Sequence, residues 1–451
     1  MNFRQFVAAL RDAGKLLTVE REMDPDLEAA ALMDALDERP VLLRHVRGSA
    51  YPVVAGLCSS RESMALGLGI AQEHLISLLT EALRHPSAPP MRETGLCQET
   101  VEERPDLCTL PILTHLPGDG GPYVTAGVAV VKDPGLGRNL SFHRLMRLDE
   151  RHFAVRLVEG RGTHTALAKA GGMLEVAICI GNSPAVLLAG AMSPAPGVDE
   201  LAIAHALAPT PLVKCRSVDL EVPAEAEIVL EGCILPQTVQ EGPFLDLTET
   251  MDIVRPQHVV ETRCITHRRD AIYQALLPGG LEHKLLMGMP REPTMFEEVS
   301  KVCDCVSVRL TPGGGCWLHG VVQIRKRDAD DGKRAIEAAF RGHPSLKHVL
   351  VVDNDIDVDD PTELEWAIAT RFQADRDLVV LPAQPGSSLD PSALHVPGAK
   401  SRTAKVGLDA TIPWRKAEGR LRSEQERAAF HKVRYHPVSL RAYLPERKDN
   451  A

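Results

Sequence analysis

The segment 138–144 reads RNLSFHR and decides how the middle of this chain folds. It follows VTAGVAVVKDPGLG (124–137) and leads into LMRL (145–148), and both neighbours have the apolar content of buried β-strands. One asparagine, one serine, one histidine and two arginines therefore fall inside a predicted sheet. Buried polar groups destabilise a fold unless each is hydrogen-bonded. The segment must find its partners elsewhere in the chain or in a ligand.

Strand geometry adds a condition to this segment. Side chains alternate across a regular strand, so Asn139 and Arg144 would face opposite sides of the sheet. They can serve one ligand only if the chain bends between them. Gly135 and Gly137, just before the segment, favour such irregular geometry.

Length and composition predict a protein of two or three domains. The chain has 451 residues, 44% of them hydrophobic and 25% charged, as in ordinary globular proteins. The net charge of −10 argues against a nucleic-acid partner, because phosphate binding favours a basic surface.

The sequence also predicts a cytoplasmic protein without a membrane partner. No apolar run reaches the roughly 18–20 residues that span a bilayer, and the first fifteen residues carry charges that a signal peptide would lack. The 10 cysteines are scattered through a long chain, which indicates reduced thiols rather than a disulfide framework.

The order of predicted elements divides the chain into three α/β or α+β parts. Residues 1–115 alternate helix and strand, and residues 116–305 contain regularly spaced short strands typical of a barrel or a curved mixed sheet. Residues 306–451 return to alternation and end in a charged tail, 415–451, which we expect to pack on a partner subunit.

Several familiar motifs are absent from the sequence. DNDIDVDD (353–360) lacks the glycine and glutamate of a calcium loop, since Val358 and Leu364 stand at those positions. TPGGGCW (311–317) has no following Gly-Lys-Ser/Thr, and no G-x-S-x-G or strand-to-helix G-x-G-x-x-G occurs. The common hydrolase and dinucleotide-binding interpretations therefore lack support.

Two carboxylates flank a glycine-proline turn in EGPFLD (241–246). Glu241 and Asp246 are either solvated turn residues or an acid/base pair oriented by a cation. Arg144 is the natural cation, because a guanidinium can bind a carboxylate through two hydrogen bonds.

A second candidate site joins an amide and a carboxylate. Glu200, in GVDELAIAHAL, is predicted at the start of a helix, where it is either a first-turn acid or a ligand. Together with Asn139 it would offer oxygen ligands, which suit a hard divalent cation that bridges to a phosphate.

An ordered set of segments resembles the UbiD family of prenylated-FMN-dependent decarboxylases. These segments are RNLSFHR, VEGRG, DELAIA, VPAEAEIVLEG, EGPFLD, WAIATR and AKVGLDAT. The resemblance implies an N-terminal α/β domain, a central split-β-barrel-like flavin domain and a C-terminal α/β oligomerisation domain. It implies reversible decarboxylation by a homo-oligomer, dimer or hexamer, with prenylated FMN supplied by a separate flavin prenyltransferase and held through Mn²⁺ and K⁺.

The resemblance also implies roles for individual residues. Arg144, Glu241 and Asp246 are similar to the family's catalytic network, with Asp246 as proton donor, and Asn139 and Glu200 are similar to its Mn²⁺ ligands. Backbone carbonyls of 189–192, with Leu140, resemble the K⁺ site. The residues that resemble the lining of the cofactor site are Asn139, Phe142, His143, Arg144, Arg156, Leu157, Val158, Arg161, Gly162 and Lys405.

Two positions depart from the family pattern. Gly162 stands where some members have a metal-binding histidine, and the sequence leaves open whether His164 replaces it. Leu245 stands where the family usually has glycine, which adds bulk beside the proposed acid.

The substrate is left open by the sequence. His283 and Arg291 resemble positions that bind a second carboxylate in some members, but they could equally hold a loop or an interface. A (hetero)aromatic or α,β-unsaturated carboxylic acid is expected first, and a phosphorylated isoprenoid-type unsaturated acid second. A plain-FMN-binding split-barrel oxidoreductase and a non-catalytic relative are the alternatives of other classes.

Overall fold

The computed structural model describes residues 1–36, 39–396 and 399–435 and has the mixed α/β architecture that the sequence predicts. Its N-terminal part begins with an amphipathic helix whose predicted apolar face, Phe3 to Leu10, is buried. Asn2 caps this helix by accepting a hydrogen bond from the Gln5 amide. The elements of this part are α1 Phe3–Asp12, β1 Leu17–Val19, α2 Glu28–Ala35, β2 Val41–Leu43, β3 Val53–Ala55, α3 Arg61–Leu68, α4 Leu75–Arg84, β4 Met91–Arg92 and β5 Thr100–Glu102.

The central part is built on one antiparallel sheet with helices against it. Its elements are β6 Tyr123–Val124, β7 Val128–Asp133, β8 Gly137–Phe142, β9 Leu145–Arg147, β10 His152–Val155, α5 Gly162–Lys169, β11 Leu174–Ile180, α6 Pro184–Ala191, α7 Glu200–Leu207, β12 Leu212–Lys214, β13 Glu221–Pro223, β14 Ile228–Glu241, β15 Phe244–Leu245, β16 Met251–Asp252, β17 Arg255–His267 and β18 Tyr273–Gln274. The main sheet has the order β6-β9-β10-β17-β14-β11-β7-β8, and β5 adds to β17.

This sheet is rolled upon itself. Strands β8 and β9 are separated by two residues in the chain, yet they lie near opposite ends of the sheet. Three Cα-to-Cα steps span at most about 11 Å, so the two edges must approach each other. The same holds for β6 and β7. The chain therefore crosses an open seam at His143 and Arg144, which is the bend that the sequence requires between Asn139 and Arg144.

The glycines before this segment have a different role from the one expected. Gly137 has a φ of 87° and ends the tight β7–β8 hairpin, whereas the bend itself lies at residues 143–144. Asn139 therefore lies within the regular strand β8, whereas Arg144 lies beyond the end of that strand.

Two strands of the rolled sheet, β14 and β17, are longer than the apolar runs in their sequences predict. The apolar pattern ends at Leu235, but β14 continues to Glu241 through an exposed, polar half. Its pairing with β17 shifts register between Glu231 and Gly232 and again between Ile234 and Thr238. Such irregularities let long strands bend, and here they carry Glu241 to the seam.

The C-terminal part is a second α/β unit whose sheet has the order β19-β20-β21-β23-β22. Its elements, with the two helices that precede its sheet, are α8 Leu281–Gly288, α9 Glu292–Ser300, β19 Cys305–Leu310, β20 His319–Ile324, α10 Asp331–Gly342, β21 His348–Asp353, α11 Pro361–Arg371, β22 Leu378–Pro385, β23 Arg402–Asp409 and α12 Glu424–Ala428. The predicted limits at 115 and 305 stay predictions. Two strand pairs join the N-terminal and central parts, since β5 pairs with β17 and β18 pairs with β3.

The charged tail is described as far as residue 435, and its packing on a partner subunit stays a prediction. Its described part packs on the same chain, because buried Arg371 donates to the Phe430 carbonyl (3.0 Å from Nη2) and Arg434 pairs with Glu363. The tail residues 436–451 lie outside the described residues.

Two buried histidines and the half-buried His143 make the fold sensitive to acid. Burial lowers the pKa of His115 and His343 to about 3 and that of His143 to about 4. Each ring is neutral in the folded state but binds a proton in the unfolded state below about pH 6.5. Folding stability should therefore fall as the pH drops from 6.5 toward 4, by up to about 1.4 kcal/mol per pH unit for each histidine.

The melting temperature between pH 7 and pH 4.5 checks this expectation. His343→Gln keeps a donor for the Trp317 carbonyl and should flatten the decline. A melting temperature that stays constant down to pH 5 would contradict it.

Candidate active site

Arg144 binds three carboxylates at the seam. Its Nε and Nη2 donate to the two oxygens of Glu241 (2.9 and 3.0 Å), and Nη2 also donates to Asp252 (2.7 Å). Its Nη1 lies 3.4 Å from Asp246. Glu241 ends β14, Asp246 follows β15 and Asp252 ends β16, so one guanidinium joins three elements. The structure thus brings together Arg144, Glu241 and Asp246, as predicted from the sequence.

Burial and charge act in opposite directions on this arginine. Burial lowers the pKa of Arg144, but the hydrogen bond to Glu241 and the nearby carboxylate charges outweigh it, and the net shift is upward. Arg144 is therefore a permanent cation. Asp246 is the most exposed of its three carboxylates, with 21% of its side chain accessible, against 0% for Glu241.

His283 stands beside this cluster. The Gly279 amide donates to its Nδ1 (3.1 Å), so the neutral ring carries its proton on Nε2. Burial lowers the pKa of His283, while the Asp246 charge acts in the opposite direction. The ring is therefore a neutral donor within electrostatic range of Asp246.

Asn139 and Glu200 form the second predicted pair. The Asn139 amide donates to Glu200 Oε1 (3.0 Å), and the Leu140 amide donates to Oε2 (2.9 Å). Burial raises the pKa of Glu200 to about 7. Asn139 Oδ1 is buried without a hydrogen-bond partner among the described residues. A buried carboxylate and an unpartnered amide oxygen are the donor types that a divalent cation takes, so the pair fits Mn²⁺.

Position 162, where some members of the family have a metal-binding histidine, has no space for a side chain. A Cβ at Gly162 would lie 2.9 Å from Asn139 Oδ1, so this backbone packs directly against the amide. His164 accepts a hydrogen bond from the Gly160 amide at its Nδ1 (3.4 Å). Within the described ranges, no cluster of three or more His, Cys, Asp or Glu residues forms a metal site.

The other residues predicted to line a flavin lie on both sides of the seam. His143 joins the crossing to α5, since its Nε2 lies 2.8 Å from the Thr163 hydroxyl and its Nδ1 3.1 Å from the Arg156 carbonyl. Leu157 is buried and donates its amide to Gln257, Phe142 is half-buried, and Val158 is exposed. These contacts place the residues near one another, and their role toward a flavin stays a prediction.

Residues 189–192 end α6 beside β8. A Cβ at Gly190 would lie 3.5 Å from the Leu140 side chain, so the predicted K⁺-binding residues are neighbours. The Ala189 carbonyl already accepts from the Met192 amide (3.0 Å). The last carbonyls of a helix otherwise lack intrahelical partners, which is compatible with a cation there.

A group of basic side chains lies around Arg291. The Arg291 guanidinium donates to the Ser193 hydroxyl (2.6 Å) and lies over the Trp317 ring, 5.4 Å from its centroid. Its Nε is buried without a hydrogen-bond partner among the described residues. Burial, and then the charge of Arg161, lower the pKa of Arg291 to about 10.

Lys405 lies in the same neighbourhood. Its Nζ donates to the Pro344 carbonyl (2.6 Å), and burial, then the charge of Lys400, lower its pKa to about 8. The charges of Arg291, Lys405 and Arg161 all act on buried His343. Three cations therefore act on one neutral, buried ring, and such a concentration of positive charge is typical of an anion-binding site.

Sequence reasoning missed two residues here. Asp252 has no recognisable motif around it, and only its position opposite Phe244 in the β15–β16 hairpin shows that it contacts Arg144. Ser193 follows a helix end and reaches Arg291 across 98 positions in the chain. The pairing of charges across such distances is not visible in local spacing.

Comparison with known sequences defines the class of protein. The profile of the 3-octaprenyl-4-hydroxybenzoate carboxy-lyase (UbiD) family matches in three parts, the N-terminal domain at 7–83, the Rift-related domain at 90–281 and the C-terminal domain at 284–410. The chain belongs to the UbiD family. It is a carboxy-lyase of the UbiD-class decarboxylase type.

Individual relatives and solved structures are similar to this chain over nearly its whole length. An anhydromevalonate phosphate decarboxylase of Methanothermobacter thermautotrophicus is 45% identical over 410 residues, which cover 89% of this chain and 95% of the relative. The structure of the UbiD-class enzyme HmfF from Pelotomaculum thermopropionicum in complex with FMN has a TM-score of 0.89 at 38% identity and covers 98% of this chain and 100% of its own. An evolved dimeric form of HmfF in complex with prFMN has a TM-score of 0.85 at 39% identity, covering 91% of this chain and 95% of its own.

Within the parts of the chain that are described, every helix is too short or too polar to cross a bilayer.

The Asn139–Glu200 pair can be tested by removing one charge. Glu200→Gln keeps the shape of the side chain but not its charge, so Mn²⁺ affinity and flavin retention should both fall by about 10- to 100-fold. Elemental analysis and flavin absorbance of the purified protein measure the two.

Glu231→Gln is the matched control. Glu231 is equally buried, but it accepts three hydrogen bonds from Arg216 and Ser217, so its loss should lower stability and leave the metal in place. A Glu200→Gln protein that keeps a full complement of metal would show that the pair is not a ligand set.

Proposed function

We propose that this protein decarboxylates a phosphorylated, isoprenoid-type α,β-unsaturated acid with the help of prenylated FMN. The substrate class is that in the name of the anhydromevalonate phosphate decarboxylases, which resemble this chain over nearly its whole length. The comparisons thus favour the second expectation drawn from the sequence over the (hetero)aromatic acid that it ranks first. The prFMN complex of HmfF supports the cofactor assignment.

Arg291 is the observation in this chain that carries the substrate class. Arg291 is half-buried with its Nε covered, and a cation that is partly removed from water is unfavourable unless an anion compensates it. The described partners of Arg291 are a hydroxyl and an aromatic ring, and its Nε has no hydrogen-bond partner among them. An unsaturated acid with one carboxylate, held near Asp246, would leave this arginine uncompensated. A phosphate group on the substrate provides the second anion and accepts several hydrogen bonds from one guanidinium.

The three carboxylates around Arg144 suggest where the reaction finds its proton. Arg144 and Arg255 are the cations in contact with Glu241, Asp246 and Asp252, so one carboxylate exceeds the number of cations. Asp246 has the longest contact and the most access to the site. We assign it the proton that replaces CO₂ on the substrate carbon, with Arg144 and Glu241 holding it in position.

The cofactor supplies the electron sink that no side chain of this chain provides. Asn139 and Glu200 would hold its phosphate through Mn²⁺, and the carbonyls near Ala189 through K⁺. Lys405 and Arg161 add positive charge on that side. His143, fixed between Thr163 and the Arg156 carbonyl, would line the cavity rather than exchange a proton, because burial lowers its pKa to about 4. A homo-oligomer, as in the dimeric form of HmfF, is part of the proposal.

A matched pair of substrates tests the proposed function. The protein, reconstituted without oxygen with prenylated FMN, Mn²⁺ and K⁺, is given a phosphorylated β-methyl unsaturated acid or the corresponding alcohol. CO₂ release should be faster by about 10- to 100-fold in kcat/KM for the phosphorylated acid, the contribution of hydrogen bonds to a charged group. Equal rates, or activity on (hetero)aromatic acids alone, would overturn the substrate class.

Arg291→Ala separates substrate binding from cofactor binding. For the phosphorylated acid the variant should raise KM about 10- to 100-fold with a much smaller change in kcat. For the alcohol, which lacks the phosphate, KM should be unchanged. Loss of bound flavin from the variant would instead assign Arg291 to the cofactor.

A further inference from the structure

Tyr123 contacts the carboxylate network through Glu241. It lies in β6 and is buried, and its hydroxyl donates to Glu241 Oε1 at 3.1 Å. The same oxygen accepts from Arg144 Nε, while Arg144 Nη2 occupies the other oxygen. Glu241 therefore receives three hydrogen bonds. Asp246 receives one short bond from the Leu247 amide (2.6 Å) and the 3.4 Å contact from Arg144.

The segment that carries Tyr123 is fixed against the glycine-proline turn of the network. The Gly120 amide donates to the Pro243 carbonyl (2.9 Å), and a Cβ at Gly120 would lie 2.3 Å from the Gly242 carbonyl oxygen. The Tyr123 ring packs on Phe244 with 4.2 Å between centroids. Only a glycine permits this approach, so the position of the phenol is set by backbone contact.

Two further polar residues lie behind this contact. His115 stands edge-on to Phe244, and the Asp119 carboxylate, which lies 3.8 Å from the His115 Nδ1, accepts from the amides of His115 and Leu116. Both His115 nitrogens and Asp119 Oδ1 are buried without partners among the described residues. Buried polar groups without hydrogen-bond partners are rare in folded proteins. Their presence indicates a polar region that extends the network behind Glu241.

We propose that Tyr123 is a positioning residue that keeps the negative charge on Glu241 and thereby leaves the proton of the network on Asp246. A donor aimed at a carboxylate favours its ionised form. Without the Tyr123 hydroxyl, the proton would be shared more evenly between Glu241 and Asp246. The inference rests on the proposed role of Asp246 as the acid.

The phenol remains a donor throughout the working range of pH. Burial and then the Glu241 charge raise the pKa of Tyr123, so it does not ionise there. Charged and titratable groups face the Glu241–Tyr123 contact from every neighbouring element. They are Arg144 from the seam, Asp246 and Asp252 from the β15–β16 hairpin, Arg255 from β17, His283 from α8, and His115 and Asp119 from the segment before β6.

Tyr123→Phe and Tyr273→Phe form a matched pair for the test. Both tyrosines are buried, but the Tyr273 hydroxyl has no hydrogen-bond partner among the described residues. Infrared titration of the carboxyl band follows protonation in the holoenzyme without turnover, and Glu241→Gln and Asp246→Asn identify the bands. Tyr123→Phe should move the titration of the network to higher pH by about one unit, and Tyr273→Phe should not.

Kinetics give a second readout for the same variants. Tyr123→Phe should lower kcat about 10- to 100-fold with little change in KM or flavin content, and should move the alkaline limb of the kcat profile to higher pH. A titration that is the same in wild type and Tyr123→Phe, or one that moves equally in Tyr273→Phe, would overturn the role of Tyr123. If no acid is turned over by the wild type, the proposed function fails, while the infrared comparison still decides for or against Tyr123.

Discussion

The contact of one guanidinium with three carboxylates at the seam is the interaction on which the site depends. Arg144 stands in a two-residue crossing between strands from opposite ends of the sheet, so its position is fixed by the closure of the barrel. Glu241 reaches it only because β14 runs past its apolar part, and Asp246 and Asp252 reach it from one hairpin. A displaced β14 would remove the two hydrogen bonds of Glu241 from a largely buried arginine, which is costly. Folding and assembly of the site are therefore the same event.

Charged side chains inside the fold are of two kinds. Glu227 pairs with Arg4 and Arg268 and accepts from the Ile272 amide, and Glu292 pairs with Arg61, so these charges have partners of opposite sign that join parts of the fold. Glu200 and Arg291 have no partner of opposite charge among the described residues, because Glu200 accepts from two amides and Arg291 contacts a hydroxyl and an aromatic ring. Incomplete pairing of this kind is expected where a ligand supplies the missing charge. Glu200 lies where the metal-bound phosphate is proposed, and Arg291 lies where the second anion is proposed.

Much of the fold follows from local patterns in the sequence. The 3.6-residue period gave the first helix, and alternating apolar residues gave the core of most strands. Regular short strands predict a barrel or a curved mixed sheet, but the strand order that closes it could not be predicted this way, because it depends on which strands pair across more than a hundred residues. The polar half of β14 was missed for a related reason, since its residues pair with β17 without an apolar face.

The site shows the same division. For Arg144, Glu241 and Asp246 the chemistry leaves a solvated turn and an acid/base pair open, the resemblance to the UbiD family implies the network, and the structure brings the three residues into contact. Asp252, Tyr123 and Ser193 carry no motif, and only the folded backbone shows what they touch. The contacts of the tail with Glu363 and Arg371 of the same chain are likewise visible only in the folded structure. Charge composition alone does not specify the surface that a charged segment meets.

The most direct test of the central claim compares Asp246→Asn with Asp252→Asn in the reconstituted holoenzyme. Each variant replaces one carboxyl group in contact with Arg144 by an amide, and both should keep their flavin and metal. If Asp246 supplies the proton, its variant should form product about 10²- to 10⁴-fold more slowly than wild type, while Asp252→Asn stays within about tenfold. Product formation by Asp246→Asn at the wild-type rate, or equal losses in both variants, would show that the acid lies elsewhere.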